Sequence, residues 1–164
     1  MSDHLREREE RIQHILRCLA AESSKGTPII VEGKKDVETL KTLAIEGKII
    51  TAKSGKSLLD VIFEVEKTRP EEVILLLDFD RRGKELTRLL KQHLEMAKIV
   101  PDTTFWRELF SLLGKEVKDI ESLGAYLETL KRKYVVHQRT LSSIKRAQAR
   151  RTLAFRRKLN EEEQ

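Results

Sequence analysis

The chain reads as an α/β domain built on a parallel sheet with helices on both faces. Three observations predict it. Short apolar runs alternate with amphipathic segments of 10 to 15 residues between positions 28 and 100, the pattern of repeated β-α units. Acidic residues stand at the ends of two of those runs, and a parallel sheet gathers its chemistry at the carboxyl ends of its strands. Finally, 164 residues with 39% apolar content suffice for one ordinary core with some extra helix.

Taken in order, Leu5, Ile12, Ile15, Leu16 and Leu19 recur at helical spacing and predict an amphipathic helix over 3–22. Ser23-Ser-Lys-Gly-Thr-Pro28 ends it and opens a strand at 28–32. A helix follows at 34–46, with Val37, Leu40, Leu43 and Ala44 on one face, then a strand at 48–51 after Gly47. Leu58, Leu59, Ile62, Phe63 and Val65 mark a helix over 57–67, broken by Arg69-Pro70. A strand at 73–78, a helix at 82–95 and a strand at 98–100 complete the alternation. Beyond Pro101 the pattern is helical, first around Phe105, Trp106, Leu109, Phe110 and Leu113, then around Ile120, Leu123, Tyr126, Leu127 and Leu130, with Gly114 between. The last stretch has Leu141, Ile144, Ala147, Ala154 and Phe155 in a looser rhythm, expected to become fully ordered on a partner. The organisation is an N-terminal amphipathic helix at 1–26, an α/β core at 27–101, a helical completion at 102–130 and a basic helical tail at 131–164.

No apolar run approaches the ~18 residues of a membrane-spanning helix, and the charged start Met1-Ser-Asp-His-Leu-Arg-Glu-Arg is unlike a secretory signal. These features predict a cytoplasmic protein without a membrane partner. The single cysteine, Cys18, excludes an intrachain disulfide and a Cys-rich zinc site, and its helical context predicts a small buried side chain. A charged fraction of 37% with a single asparagine, Asn160, is the direction thermophile compositions take.

Net charge is +6, and its distribution is uneven. Lys131, Arg132, Lys133, Arg139, Lys145, Arg146, Arg150, Arg151, Arg156, Arg157 and Lys158 place +11 between residues 131 and 160, where no acid occurs, while residues 1–130 carry −2. Such a block is the footprint of a protein that meets a polyanion, with a solvated helical extension as the plainer reading.

Three acids carry the chemistry. Pro28-Ile-Ile-Val31 runs into Glu32-Gly33, and Glu72-Val-Ile-Leu-Leu-Leu77 runs into Asp78-Phe-Asp-Arg-Arg-Gly83. Period two sends Asp78 and Asp80 out on one side of an extended strand and Phe79 out on the other. Clustered acids repel unless a cation joins them, and Mg²⁺ takes one or two carboxylates while keeping water or substrate phosphate in the rest of its shell. Asp78 and Asp80 are therefore candidate metal ligands, and Glu32 a further ligand or the general acid or base. Singly, each acid at such a position is as readily a helix N-cap.

Val31-Glu-Gly-Lys-Lys-Asp36 and Asp78-Phe-Asp-Arg-Arg-Gly83, separated by one β-α unit, resemble the two signatures of the Toprim domain of topoisomerases, bacterial primases, recombination mediators and some nucleases. Within that superfamily the chain is similar to the small stand-alone Toprim proteins of archaea, and more distantly to the ribonuclease that matures bacterial 5S ribosomal RNA. The resemblance implies a Rossmann-like four-stranded parallel sheet, Glu32 as general acid or base, and Asp78 and Asp80 holding Mg²⁺, with Mn²⁺ as a substitute. Tyr126 and Tyr134 lie in helical contexts unsuited to a topoisomerase nucleophile, and one cysteine excludes the zinc module of a primase and the Cys cluster of a mediator.

Around the acids, Lys34, Lys35, Arg81, Arg82 and Lys84 are placed to hold a nucleic-acid phosphate, and cations beside a helix N-terminus are unfavourable without such a ligand. Asp36 reads as a first-turn helix charge or, slightly less favoured, as an acid that supports the metal ligands from behind, and Gly33 and Gly83 as points of close backbone approach. Ser54-Gly-Lys-Ser57 is similar to the end of a phosphate-binding P-loop, but Ile50 stands where the motif needs its first glycine, so Ser54 or Ser57 is read as a helix cap. Lys118-Asp-Ile-Glu121 brings further acids within reach of the metal edge or else starts a solvated helix. His4, His14, His93 and His137 show no ligand spacing, and Phe105 and Trp106 read as core rather than as stacking platforms for bases.

The leading expectation is a Mg²⁺-dependent nuclease acting on structured nucleic acid. RNA, as ribosomal RNA or another ribonucleoprotein, is favoured over DNA through the resemblance. The alternative is a non-catalytic RNA, ribonucleoprotein or DNA binding module that keeps the metal site, and a third reading is a protein-interaction scaffold. A dimer through the sheet edges or the N-terminal helix is compatible with the sequence.

Overall fold

The computed structural model describes residues 2–53 and 55–162. Ser54, one of the two candidate caps, lies outside them. Four parallel strands, β1 (Ile29–Val31), β2 (Ile49–Thr51), β3 (Glu72–Leu75) and β4 (Val100–Asp102), form one sheet in the order β2-β1-β3-β4. Ile29 lies opposite Ile49 on one side and Ile74 on the other, and Glu72 lies opposite Val100. The helices are α1 (Ser2–Ser24), α2 (Lys34–Thr42), α3 (Leu58–Lys67), α4 (Arg81–Met96), α5 (Thr104–Leu113) and α6 (Leu123–Glu162).

Because the central strands β1 and β3 are buried on both faces, each contributes to two cores. Ile29, Val31, Ile74 and Leu76 pack with α1, α2, α5 and the root of α6, while Ile30, Ile50, Val73, Leu75 and Leu77 pack with α3 and α4. The expected apolar face of α1, Ile12, Ile15, Leu16 and Leu19, is buried against this body, so it is already used within the chain. Cys18 lies off that face and is exposed, its sulfur 3.7 Å from His14 Nε2. The expectation of a buried cysteine fails because α1 buries only one stripe.

Two helices end in the same sharp turn, α2 four residues before its periodicity predicts and α4 one residue beyond. α2 stops at Thr42 because Ala44 turns left-handed (φ 64°), and Ala44 N and Ile45 N donate to Lys41 O and Leu40 O at 3.1 and 3.0 Å. α4 ends identically, with Lys98 at φ 60° and Lys98 N and Ile99 N donating to Glu95 O and Leu94 O at 3.0 and 2.9 Å. In each turn the flanking pair, Leu40 with Ile45 and Leu94 with Ile99, is buried in one core, as this type of helix end requires. Side chains are strained in the left-handed region and glycine is not. Ala44→Gly and Lys98→Gly, at exposed positions, should each stabilise the fold by about 0.5–1 kcal/mol, measured by urea denaturation. At the other end of α3, Ser57 is the N-cap: Asp60 N donates to Ser57 Oγ at 3.2 Å and Ser57 N to Asp60 Oδ2 at 2.9 Å.

The basic tail is helical without a partner. α6 is continuous for 40 residues, about 60 Å at 1.5 Å per residue. It contains neither proline nor glycine after Gly124, and its Lys, Arg, Gln, Ala and Leu content favours helix. Leu123, Leu127 and Leu130 anchor its root in the core, and Arg6 lies over the Tyr134 ring at 5.9 Å. Beyond Leu141 the described residues are exposed, so α6 stands off the body as a cationic arm.

Candidate metal and nucleic-acid site

The site forms where β1 and β3 run out at their carboxyl ends. Glu32 follows directly on β1 and is 4% exposed. Pairing with the β2 side continues past the strand, with Lys53 N donating to Glu32 O at 2.9 Å. This register sets the Lys53 ammonium 2.6 Å from Glu32 Oε2. The other oxygen, Glu32 Oε1, is buried without a hydrogen-bond partner, a costly state for a carboxylate.

Asp78 comes from an extended segment after β3, which ends at Leu75 rather than 78, although Leu76 N still donates to Ile30 O at 2.9 Å. There the chain leaves the sheet. Phe79 turns into the core against Trp106 and Phe110, and its backbone N donates to Lys118 O at 2.8 Å. Trp106 donates to Leu77 O at 2.9 Å and packs half-buried against the core, and Phe105 is buried in it. Asp80 becomes the N-cap of α4, accepting from Gly83 N at 2.7 Å. Among the described residues, therefore, no three acidic, His or Cys side chains form a ready-made metal cage; the helix start holds Asp80 at the rim.

The acids that meet are Glu32, Asp78 and Asp36. Asp36, on the first turn of α2, is buried and accepts from Gly33 N at 3.0 Å and Glu121 N at 3.1 Å. Ile120 N donates to Asp78 Oδ1 at 3.4 Å. The 118–121 segment thus reaches the acid edge through its backbone N–H groups. The Glu121 carboxylate turns away, 3.7 Å from Lys35. Burial, followed by the charges of Glu32 and Asp36, pushes the Asp78 carboxyl up to about 7. Asp36 is also raised, mainly by burial and against the pull of its two backbone donors.

The direction of these shifts predicts a pH dependence. An unfolded Asp titrates at about 3.9, so between there and about 7 the folded chain retains a proton at Asp78 that the unfolded chain has lost. Stability of the metal-free protein should therefore fall as pH rises through this window and level off above it. Asp78→Asn should flatten the slope, and Mg²⁺ should raise Tm more at pH 8 than at pH 5; thermal melts with and without EDTA measure both.

Gly83 holds the arrangement together. A Cβ there would lie 2.0 Å from Asp78 O and 2.6 Å from Asp78 C, so only glycine lets α4 start so close to the acid. Gly33, by contrast, has open space around it; the close approach expected there is absent because the chain passes it extended. Gly83→Ala should cost about 1–3 kcal/mol by overpacking and weaken metal binding, as read by denaturation and by Mn²⁺ titration.

Beside the acids, a cleft of about 480 Å³ opens between the β2-α3 connection and α4. Glu32 lies at its edge, Lys53, Lys56, Arg81 and Arg82 supply cations, and Leu58, Leu86 and Leu89 give it apolar surface. Lys56 is held by Glu64 at 2.6 Å. Arg81 and Arg82 are exposed and have no ion-pair partner among the described residues. Of the other cations named from the sequence, Lys34 is exposed, Lys35 is near Glu121, and Lys84 packs 4.6 Å over the Phe110 ring, outside the cleft. The tail cations from Lys145 onward are all exposed on α6, far along the chain from the acids. Sequence reasoning missed Lys53 and Lys56, and undervalued Asp36. The signal for Lys53 was its place just after β2, level with the end of β1.

The Toprim domain family model matches residues 27–112, in keeping with a four-stranded parallel sheet that carries acids at its carboxyl edge. Toprim domains combine acidic metal sites with nucleic-acid chemistry, and that general role applies here. A UPF0292 protein of Methanosarcina barkeri is 38% identical over 128 residues, covering 78% of this chain and 88% of its own. One from Methanocaldococcus jannaschii is 39% identical over 119 residues, covering 72% of this chain and 91% of its own. The chain belongs to this family of small Toprim proteins. A solved structure of a protein from Aquifex aeolicus superposes with a TM-score of 0.59 at 29% identity, covering 67% of this chain and 95% of that one. No helix among the described residues is long and apolar enough to cross a membrane.

Proposed function

We propose that this protein is a Mg²⁺-dependent nuclease that cuts a phosphodiester bond in structured RNA. The observation that carries the reading is the buried Oε1 of Glu32, which has no hydrogen-bond partner, beside Asp78, whose carboxyl is pushed up to about 7 by burial and by the charges of Glu32 and Asp36. A divalent ion satisfies both. Mg²⁺ needs only one or two carboxylates, so Glu32 and Asp78, with the free oxygen of Asp80 at the rim, fit it without a closed cage, and Mn²⁺ fits the same oxygens. When bound, the ion supplies charge neutralisation at the scissile phosphate and a more acidic water.

The protein's own residues do the rest. Glu32 takes a proton from the attacking water as that water's oxygen bonds to phosphorus; the P–O bond to the leaving ribose oxygen breaks, and Glu32 returns the same proton to the leaving oxygen through a water. The products are a phosphomonoester and a free hydroxyl. Lys53, Arg81 and Arg82 position the phosphate, and α6 grips the RNA backbone at a distance. RNA is preferred to DNA because the chain resembles a ribosomal-RNA-maturing ribonuclease. A ribosomal RNA or another ribonucleoprotein is the natural partner.

The test incubates the protein with total cellular RNA and Mg²⁺ or Mn²⁺, beside an Asp78→Ala/Asp80→Ala variant, and maps new 5′ ends together with bound RNA. Metal-dependent ends absent from the variant support the nuclease. Selective binding with no new ends, equal in both proteins, supports instead a binding module that retains the acids.

A further inference from the structure

We infer that the cleft beside Glu32 seats one unpaired nucleotide, so that cleavage falls next to a bulged, looped or terminal base. This rests on the reading that the acid edge acts on nucleic acid. The cleft holds about 480 Å³, the scale of a small-ligand pocket. Each side of it carries both apolar and cationic side chains, and Glu85 lies on the α4 side. Leu58, Leu86 and Leu89 are half-buried and present an apolar surface, while Lys53, Arg81 and Arg82 present cations.

A groove that only tracked a duplex backbone would need the cations and have no use for the leucines. Paired bases are stacked inside the helix, and a duplex presents sugar and phosphate outward. A base turned out of the stack offers an apolar face for the leucines and for guanidinium stacking, and its phosphate meets the ammonium and guanidinium groups. Arg81 and Arg82 lack ion-pair partners among the described residues, and the two acids of the lining, Glu32 and Glu85, are engaged by Lys53 and Arg88 at 2.6 Å each. The Lys53 ammonium, 2.6 Å from Glu32 Oε2, joins cleft to acids, which places the seated nucleotide directly beside the bond to be cut.

The test measures binding of full-length protein in EDTA, so that cleavage plays no part. Three RNA hairpins are compared: fully paired, with one bulged nucleotide, and with the same bulge abasic. The bulged hairpin should bind about tenfold tighter than the paired one, within the range for one stacked base, and the abasic bulge should lose that gain. Leu86→Gln/Leu89→Gln should lose it too, while its affinity for the paired hairpin, set by the arm, stays unchanged and reports intact protein. Equal binding of intact and abasic bulges by the wild type overturns the inference and leaves the nuclease reading standing. Failure to bind any hairpin overturns the nucleic-acid reading itself.

Discussion

Glu32→Gln is expected to reduce metal-dependent RNA cleavage by about 10³-fold or more, within the range for loss of a positioned general base, while RNA binding stays within about twofold. The substitution is isosteric. It keeps the contact with Lys53 Nζ at 2.6 Å in weakened form and removes the charge that, on the proposed mechanism, activates water and helps hold the ion. At a position only 4% exposed, the neutral amide would also relieve the repulsion acting on Asp78. Metal-free Tm should therefore rise at pH 8 even as activity disappears. That opposite movement separates a catalytic loss from unfolding. Single-turnover cleavage and thermal melts on the same preparation provide the check, and retained activity would remove Glu32 from the mechanism.

Removing residues 142–164 should weaken RNA binding by two to three orders of magnitude at low salt and leave the core intact. The deletion takes Lys145, Arg146, Arg150, Arg151, Arg156, Arg157 and Lys158. It begins beyond the buried anchors Leu123, Leu127 and Leu130 and beyond the Tyr134 contact with Arg6. Each neutralised phosphate contributes a slope of roughly −0.9 to the logarithm of affinity against that of salt on a B-form duplex. The full-length slope should accordingly be steeper than that of the truncated protein by several units. Affinity measured between 50 and 200 mM salt decides the matter; parallel slopes would mean that the arm does not touch the polyanion.

Much of the fold was legible because a parallel sheet buried on both faces writes itself as apolar runs, and helices over it as 3.6-period stripes. All four strands and the helices between them lie where those patterns place them, to within a few residues. The errors came at ends. Ala44 closes α2 by a left-handed turn that its identity does not announce, and β3 stops at Leu75, because departure of the chain toward the Phe79 pocket is a packing decision. Cys18 was misplaced because composition says nothing about which side of α1 a residue occupies.

For the site, the amino-acid sequence by itself determined that Glu32 and Asp78 stand at neighbouring strand ends, since β-α-β spacing and the direction of a parallel sheet leave one edge for both. It also determined the charge of the arm, which depends on composition alone. Only the tertiary structure decided which groups face the acids. Asp80 is drawn off to cap α4, Asp36 and the 120–121 backbone are brought in from over 80 residues apart, and Lys53 arrives through strand register. The physical reason is range: strand ends follow from local periodicity, whereas the partners of a buried carboxylate follow from desolvation and hydrogen-bond satisfaction among segments distant along the chain.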